Sequence, residues 1–420
     1  MLKVVSPRSE SHQEIPSHLD EIARIGARRM LLEALDAEVA DYIHRHRAER
    51  DEAGHRLVVR NGAGRPRNVT MGGGTVDVPA PRVNDRRPGE KFTSLVLPPY
   101  VRKSPKVESL LPLLYLKGLS TNAFEGALRE FLGDGVTGLS PASIVKLKKS
   151  WEAEFSLWEK RAITKRYAYI FADGVNVEIR LGEDKKICLL VLIGVTEDGD
   201  KELLAVHPGY RESKDSWGYV LSSLVARGLA PPLVCVGDGA LGFWAALRAT
   251  AGFEKCEEQR CWVHKIANVL DKLPKRLQGD AKGMLHDMMR AESKKACEKI
   301  RDQFAKLHQE KFPKAVECLK KDWAELTTFF RYPAAHWLHL RTTNPIESSF
   351  ATVKLRTTVT RGAGSAVTAT TMAFKLLSEC QKRWRKINAP EEIKNLFAGV
   401  VYQDGVVVTT ASTHQEAAAS

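Results

Sequence analysis

The chain has 420 residues and a formal net charge of +13, room for roughly two to four domains and a basic excess that points to a polyanionic partner, nucleic acid before a membrane surface. Its longest apolar run, Cys188 to Val195, is far below the ~20 residues of a membrane span, and the N-terminal MLKVVSPRSESHQE has no apolar signal region. Seven unevenly spread cysteines read as reduced thiols, so a cytoplasmic, nucleic-acid-handling protein is expected.

An N-terminal helical region is expected within residues 1–44, because Ile25, Leu32, Leu35, Val39 and Tyr42 fall on one helical stripe. That stripe suits packing on its own domain or against a second copy of the chain. Residues 45–106 then carry 14 Lys/Arg against 6 Asp/Glu and are punctuated by NGAGRPR, MGGG, VPAPR and LPP. This predicts a basic, turn-rich module of short strands that lies along phosphates. Over 107–160 the pattern is helical again, with breaks at Gly118 and Gly133 and a fresh start at Ser140-Pro141. Lys146, Lys148 and Lys149 follow on the last helix, so the region reads as a DNA-binding helix-turn-helix or as a plain helical hairpin.

Strand patterning begins near residue 166 with YAYIFADGVNVEIR and a hairpin around Asp198-Gly199. A helix, the apolar LVCVGD and another helix follow, an α/β order with a central sheet over 161–256. Residues 257–340 read as an all-helical insertion, and 341–400 as the second part of the core with a basic helix. The small, polar residues of 401–420 predict a tail without structure.

Three acids stand out. Asp173 in IFADG and Asp238 in VCVGDG each close an apolar run and precede a glycine, a turn dipeptide but also the place where a sheet presents ligands. Glu347 lies in RTTNPIES, where Asn344 is expected as N-cap, Pro345 at the first helical position and Glu347 as partner of a capping box.

Through TTNPIES (342–348), RCWVHKIANVL (260–270) and Asp238-Gly239, with LKGLSTNAFEGAL, LSPASIVKL and GYRESKDSW collinear, the chain resembles the Mutator-like transposases of bacterial insertion sequences over nearly its full length. The resemblance implies an RNase H-like fold with a helical insertion and an Asp-Asp-Glu triad at Asp173, Asp238 and Glu347. It also implies a bacterial, nucleoid-associated DDE transposase that binds terminal inverted repeats and target DNA as a homodimer or larger assembly. In-line displacement at phosphorus suits two Mg²⁺ ions, with Mn²⁺ able to substitute, held by such hard oxygen donors. Cys261 and His264 form half of a zinc motif with no second pair at finger-like spacing, so a place near the site, beside Asn344, is expected in preference to zinc. Trp323 reads as core or, by the resemblance, as a residue that stacks on an extruded base. Residues 354–386 hold eight Lys/Arg against one acid, and Lys354, Arg356 and Arg361 are expected at phosphates beside the chemistry. The rival reading is a DNA-binding repressor of its own element that keeps the fold without the activity.

Overall fold

The computed structural model describes residues 19–107, 114, 116, 141–180, 185–209, 213–239, 242–359 and 362–408. The chain divides into two units, residues 1–147 and 148–420.

In the first unit, helix α1 (Leu19–Arg45) is followed by strands β1 (Val58–Ala63), β2 (Arg67–Met71), β3 (Gly74–Val78) and β4 (Pro81–Asp85). β2 and β3 form an antiparallel hairpin, and β1 pairs antiparallel with β4. Leu31, Leu32 and Leu35 of the helix pack on Val69, Val76, Val78 and Leu97. Much of the helical stripe is therefore used within its own unit, while Ile25 stays half exposed. Tyr42 donates a 2.6 Å hydrogen bond to Asp85, whose carboxylate also pairs with Arg87 at 2.8 Å. The expected helix-turn-helix lies mostly outside the described residues. Its last helix, α2 (Pro141–Glu159), starts at the proline as the sequence requires.

The second unit is built on a five-stranded mixed sheet, in the order β7-β6-β5-β8-β9. Strands β5 (Tyr167–Glu178), β6 (Lys186–Thr196) and β7 (Lys201–Gly209) form an antiparallel meander, turning at Gly199 with φ +80°. β8 (Val234–Gly237) joins β5 in parallel, and β9 (Glu257–Arg260) joins β8 in parallel. β9 was not expected: EEQR is too short and too polar to read as a strand, and it pairs because Val234–Gly237 offers it an open edge. The helical block therefore begins after a strand, not at residue 257.

One face of the sheet, with Ile170, Ala172, Leu190 and Leu192, packs on α3 (Lys214–Ala226) and α4 (Phe243–Ala249) through Trp217, Leu221, Leu224 and Phe243. The N-cap of α3 is Ser213, whose side chain accepts from the Ser216 amide. The helical block comprises α5 (Trp262–Leu270), α6 (Gln278–Arg290), α7 (Lys294–His308), α8 (Pro313–Lys320), the short α9 (Trp323–Leu326) and α10 (Trp337–Leu340). It is fastened to the sheet by Gln259, which donates to Leu326 O and accepts from Phe329 N. Helices α11 (Asn344–Val359), α12 (Ala366–Gln381) and α13 (Glu391–Phe397) follow. The stretch from 401 departs from the expected tail, since β10 (Tyr402–Gln403) and β11 (Val406–Val407) make a small hairpin. Tyr402 is buried there and hydrogen-bonds Glu392, and Asp404 accepts from Lys294 N at 2.7 Å.

Candidate active site

Side chains along β5 alternate between the faces of the sheet. Ile170 and Ala172 face α3 and α4, so Tyr169, Phe171 and Asp173 face the opposite side. There the Tyr169 hydroxyl meets His336 Nδ1 at 2.7 Å. The parallel pairing runs Tyr169↔Val234, Ile170↔Cys235 and Phe171↔Val236. Two residues beyond the last of these pairs come Asp173 and Asp238. The expectation that both acids end their strands holds for Asp238, which follows β8. It does not hold for Asp173, since β5 continues to Glu178, kept in line by β6 through Glu178↔Lys186. The strand that stops is β8, and its end opens the sheet beside Asp173. Each acid is oriented by the glycine after it: Gly174 N donates to Asp173 Oδ1 at 2.8 Å and Gly239 N to Asp238 Oδ1 at 2.6 Å. Trp244 Nε1 holds the Asp238 carbonyl at 2.7 Å.

Glu347 arrives on the first turn of α11. The cap sits one residue earlier than expected, because Ile346 N and Glu347 N both bond to Thr343 O. Asn344 is the first helical residue, exposed to solvent. The Glu347 carboxylate does not reach back to a backbone amide in a capping box; it accepts from Thr343 Oγ1 at 2.6 Å. A buried threonine hydroxyl is nearer and better placed than the cap amide. Thr343 N also donates to Cys261 Sγ at 3.4 Å, so one residue holds both the carboxylate and the thiol.

Cys261 caps α5 and His264 lies on its first turn. His264 Nδ1 is 3.9 Å from Glu347 Oε1. The imidazole is pushed up to about 9, first by its contact with the Cys261 side chain and then by the negative charge of Cys261, Asp238 and Asp173, against the effect of burial. Elements far apart in the chain therefore place one histidine within the field of both aspartates and beside the glutamate.

Sequence reasoning missed Arg260, Lys265 and Asp322. Arg260, the residue before Cys261, reaches Asp238 Oδ1 at 3.5 Å and Asp322 Oδ2 at 2.8 Å. Lys265, almost wholly buried, donates to the carbonyls of Cys318 and Lys321 and pairs with Asp322 at 3.2 Å. Asp322 itself has φ 62°, a left-handed conformation open to Asp and Asn more than to most residues. Gly239 is required by this arrangement, since a Cβ there would fall 0.8 Å from Arg260 Nη1. No spacing motif marks Asp322, whereas Arg260 stands inside the RCWVH segment and could have been singled out.

The expected DNA contacts divide. Lys146 and Lys149 are exposed one turn apart on α2, with Lys148 half-buried between them. Lys354 is exposed on α11. Arg356 is a correction: it is 1% exposed and belongs to the interior, because its position on α11 turns it toward the core rather than solvent. Arg361 lies outside the described residues. Lys375 is engaged by Glu154 at 2.8 Å, and Lys386 by Asp200 at 3.1 Å. Trp323 is half-buried, edge-on to Trp262 at 6.1 Å with the Arg301 guanidinium 4.7 Å from its ring centre.

Two sets of candidate metal donors, one expected from the sequence and one from the geometry, have Glu347 in common. Asp173, Asp238 and Glu347 offer hard oxygens, the donors that suit Mg²⁺. Cys261, His264 and Glu347 offer sulfur, nitrogen and oxygen within 4.8 Å of one another. No helix among the described residues is long and apolar enough to cross a membrane.

Residues 3–386 match the family described as transposase, Mutator family. The chain is 48% identical over 281 residues, 67% of its length and 94% of the relative's, to the transposase for insertion sequence element IST2 of Acidithiobacillus ferrooxidans. It is 44% identical over 300 residues, 71% of its length and 92% of the relative's, to the transposase for insertion sequence element IS6120 of Mycolicibacterium smegmatis. With the transposase for element ISRM5 of Rhizobium meliloti it shares 25% identity over 378 residues, 89% of this chain and 90% of that one. The chain belongs to the Mutator family of transposases.

Proposed function

We propose that the protein is a DDE transposase, which binds the terminal inverted repeats of an insertion sequence and carries out Mg²⁺-dependent strand cleavage and strand transfer. The observation that carries this reading is the parallel register of β5 and β8, whose last pair Phe171↔Val236 lies two residues before Asp173 and Asp238, with Glu347 beside His264, which both aspartates also influence. A meander of three antiparallel strands joined to two parallel ones, with acids where β8 ends, supports an RNase H-like core.

Asp173, Asp238 and Glu347 would hold the divalent ions, since a set of carboxylates matches the preference of Mg²⁺ for oxygen donors. When bound, the ions would neutralise the acids and stabilise charge on the attacking and leaving oxygens of an in-line displacement. The chain's own residues orient the acids through Gly174 N, Gly239 N and the Thr343 hydroxyl. Water attacks first to free a 3′-OH, and that hydroxyl then attacks target DNA, with no covalent protein–DNA intermediate. The net charge of +13 and the exposed Lys146, Lys149 and Lys354 support binding to duplex DNA. A helix-turn-helix ending in α2 would supply sequence recognition, and pairing of two element ends calls for a homodimer or larger assembly. A bacterial protein acting on the chromosome would work in the cytoplasm.

The test compares wild type with Glu347→Gln on a plasmid carrying the DNA that flanks the gene, with Mg²⁺ or Mn²⁺, mapping strand breaks to the nucleotide. Breaks at the element ends that vanish in the variant are expected. Binding of those ends by wild type without cleavage in either metal overturns the catalytic reading in favour of the repressor.

A further inference from the structure

Cys261, His264 and Glu347 come from two places more than eighty residues apart, and no regular motif spacing connects the third to the first two. Cys261 is fully buried, and its sulfur is presented as an acceptor to Thr343 N. The Thr343 hydroxyl, 3.4 Å from the same sulfur, holds Glu347 Oε1 at 2.6 Å. His264 Nδ1 is enclosed, with no hydrogen bond of normal geometry among the described residues, and 3.9 Å from Glu347 Oε1. An enclosed ring nitrogen beside a buried sulfur and a carboxylate is an arrangement that a metal ion completes.

We propose that Cys261, His264 and Glu347 bind a thiophilic divalent ion of the zinc class, at a site that shares Glu347 with the carboxylate set. The donor chemistry decides the ion. Thiolate and imidazole favour zinc and its neighbours over magnesium, and three protein ligands leave a fourth, open position for water. Ligand atoms around tetrahedral zinc lie roughly 3.4–3.8 Å apart, from bonds of about 2.0–2.3 Å. The donor atoms lie within 4.8 Å of one another, so closing on such an ion needs a contraction of about 1 Å at most, toward which the partly exposed Glu347 side chain can rotate. Thr343, bonded to both the thiol and the carboxylate, fixes the outer shell of the site.

Because one carboxylate serves both sets, occupancy by zinc withdraws Glu347 from the magnesium-dependent reaction. Zinc is thereby an inhibitor of this transposase. The inhibitory half rests on the reading under Proposed function; the binding half does not.

The test uses the full chain and Co²⁺ or Zn²⁺ as the probe, without DNA. One equivalent of Co²⁺ is expected to give the near-ultraviolet thiolate-to-cobalt band, displaced by Zn²⁺ and lost in Cys261→Ser. In Glu347→Gln, zinc affinity falls about tenfold or more. Absence of the band in wild type, or its persistence in Cys261→Ser, overturns the site. Should Cys261→Ser fail to fold by circular dichroism, Glu347→Gln decides alone, and an unchanged zinc affinity overturns it. In the cleavage assay, one equivalent of Zn²⁺ over excess Mg²⁺ is expected to suppress strand breaks; insensitivity overturns the inhibitory half. Cobalt binding without any magnesium-supported cleavage sinks the transposase reading and leaves the ion site standing. Cleavage without the cobalt band does the reverse.

Discussion

Asp173 and Asp238 are 65 residues apart in the chain, yet each stands two residues past a matched pair, because β5 and β8 pair in parallel with Phe171 opposite Val236. The relationship is set by backbone register. A slip of one residue in either strand would turn one acid to the opposite face of the sheet.

Replacing Asp238 with Asn keeps shape and the Gly239 amide contact while removing a negative charge. Losing one ligand of a two-ion site costs several kcal/mol of transition-state stabilisation, so strand cleavage is expected to fall on the order of a thousandfold. DNA binding measured by gel shift should hold or tighten, since repulsion of phosphate is relieved. A variant that cleaves within about threefold of wild type would remove Asp238 from the chemistry.

Gly239→Ala places a methyl group where the Arg260 guanidinium now lies. Arg260 must then leave Asp322, Asp238 or both. The expected cost is about 1–3 kcal/mol of stability, with a loss of cleavage larger than the loss of folded protein explains. Gly218→Ala on α3 is the control. Nothing lies within 4 Å of the new methyl group, so its melting temperature should hold or rise, by up to about 1 kcal/mol of stability.

Asp322→Ala strips the carboxylate that faces Arg260 and the buried Lys265. Lys265 keeps two carbonyl acceptors, so a loss of about 2–3 kcal/mol is expected, below the full cost of an unpaired buried charge. Asp322→Gly should lose less than Asp322→Ala by about 1 kcal/mol, because φ of 62° suits glycine and strains alanine. Denaturant unfolding of the two variants checks the order as well as the size.

Burial, and then the charge of Lys201, push His339 down to about 4, and burial lowers His336 as well. His339 is held neutral in the native state down to about pH 4, while in the unfolded chain it takes up a proton below about pH 6.5. Its contribution is therefore complete above that value and lost as pH falls from about 6.5 toward 4. For His339 this amounts to about 2 kcal/mol by pH 5. The stability difference between pH 7.5 and about pH 5 should shrink in His339→Gln, which keeps an acceptor for Asn388 N.

Lys146→Ala and Lys149→Ala remove exposed charge without touching the carboxylates. If each lysine meets a phosphate, the slope of log affinity against log salt becomes shallower by about 1 per lysine. Binding should weaken alike for element ends and unrelated DNA. A loss confined to element ends would instead assign these residues to base recognition.

Local chemistry made much of the second unit legible in the residues alone. Short apolar and β-branched runs predicted β5, β6, β7 and β8, Asp198-Gly199 predicted the turn between two of them, and Pro141 marked the start of a helix. The segments around Asp238, Cys261 and Glu347 carried the family resemblance, and with it the three candidate acids. What the residues could not disclose depends on partners distant in sequence. EEQR became a strand only because β8 left an edge to pair with. Asp173 proved to lie in mid-strand because β6 continues beside it. Arg356, basic and assigned to phosphates, turned out to be interior because its helix faces that way. Glu347 was expected to cap its own helix and instead shares Thr343 with Cys261. Periodicity and dipeptide chemistry act within a few residues, so the sequence by itself determined most elements of the second unit and named the candidate acids. Register, burial and the meeting of Cys261, His264 and Glu347 are sums over long-range contacts, and only the tertiary structure decided them.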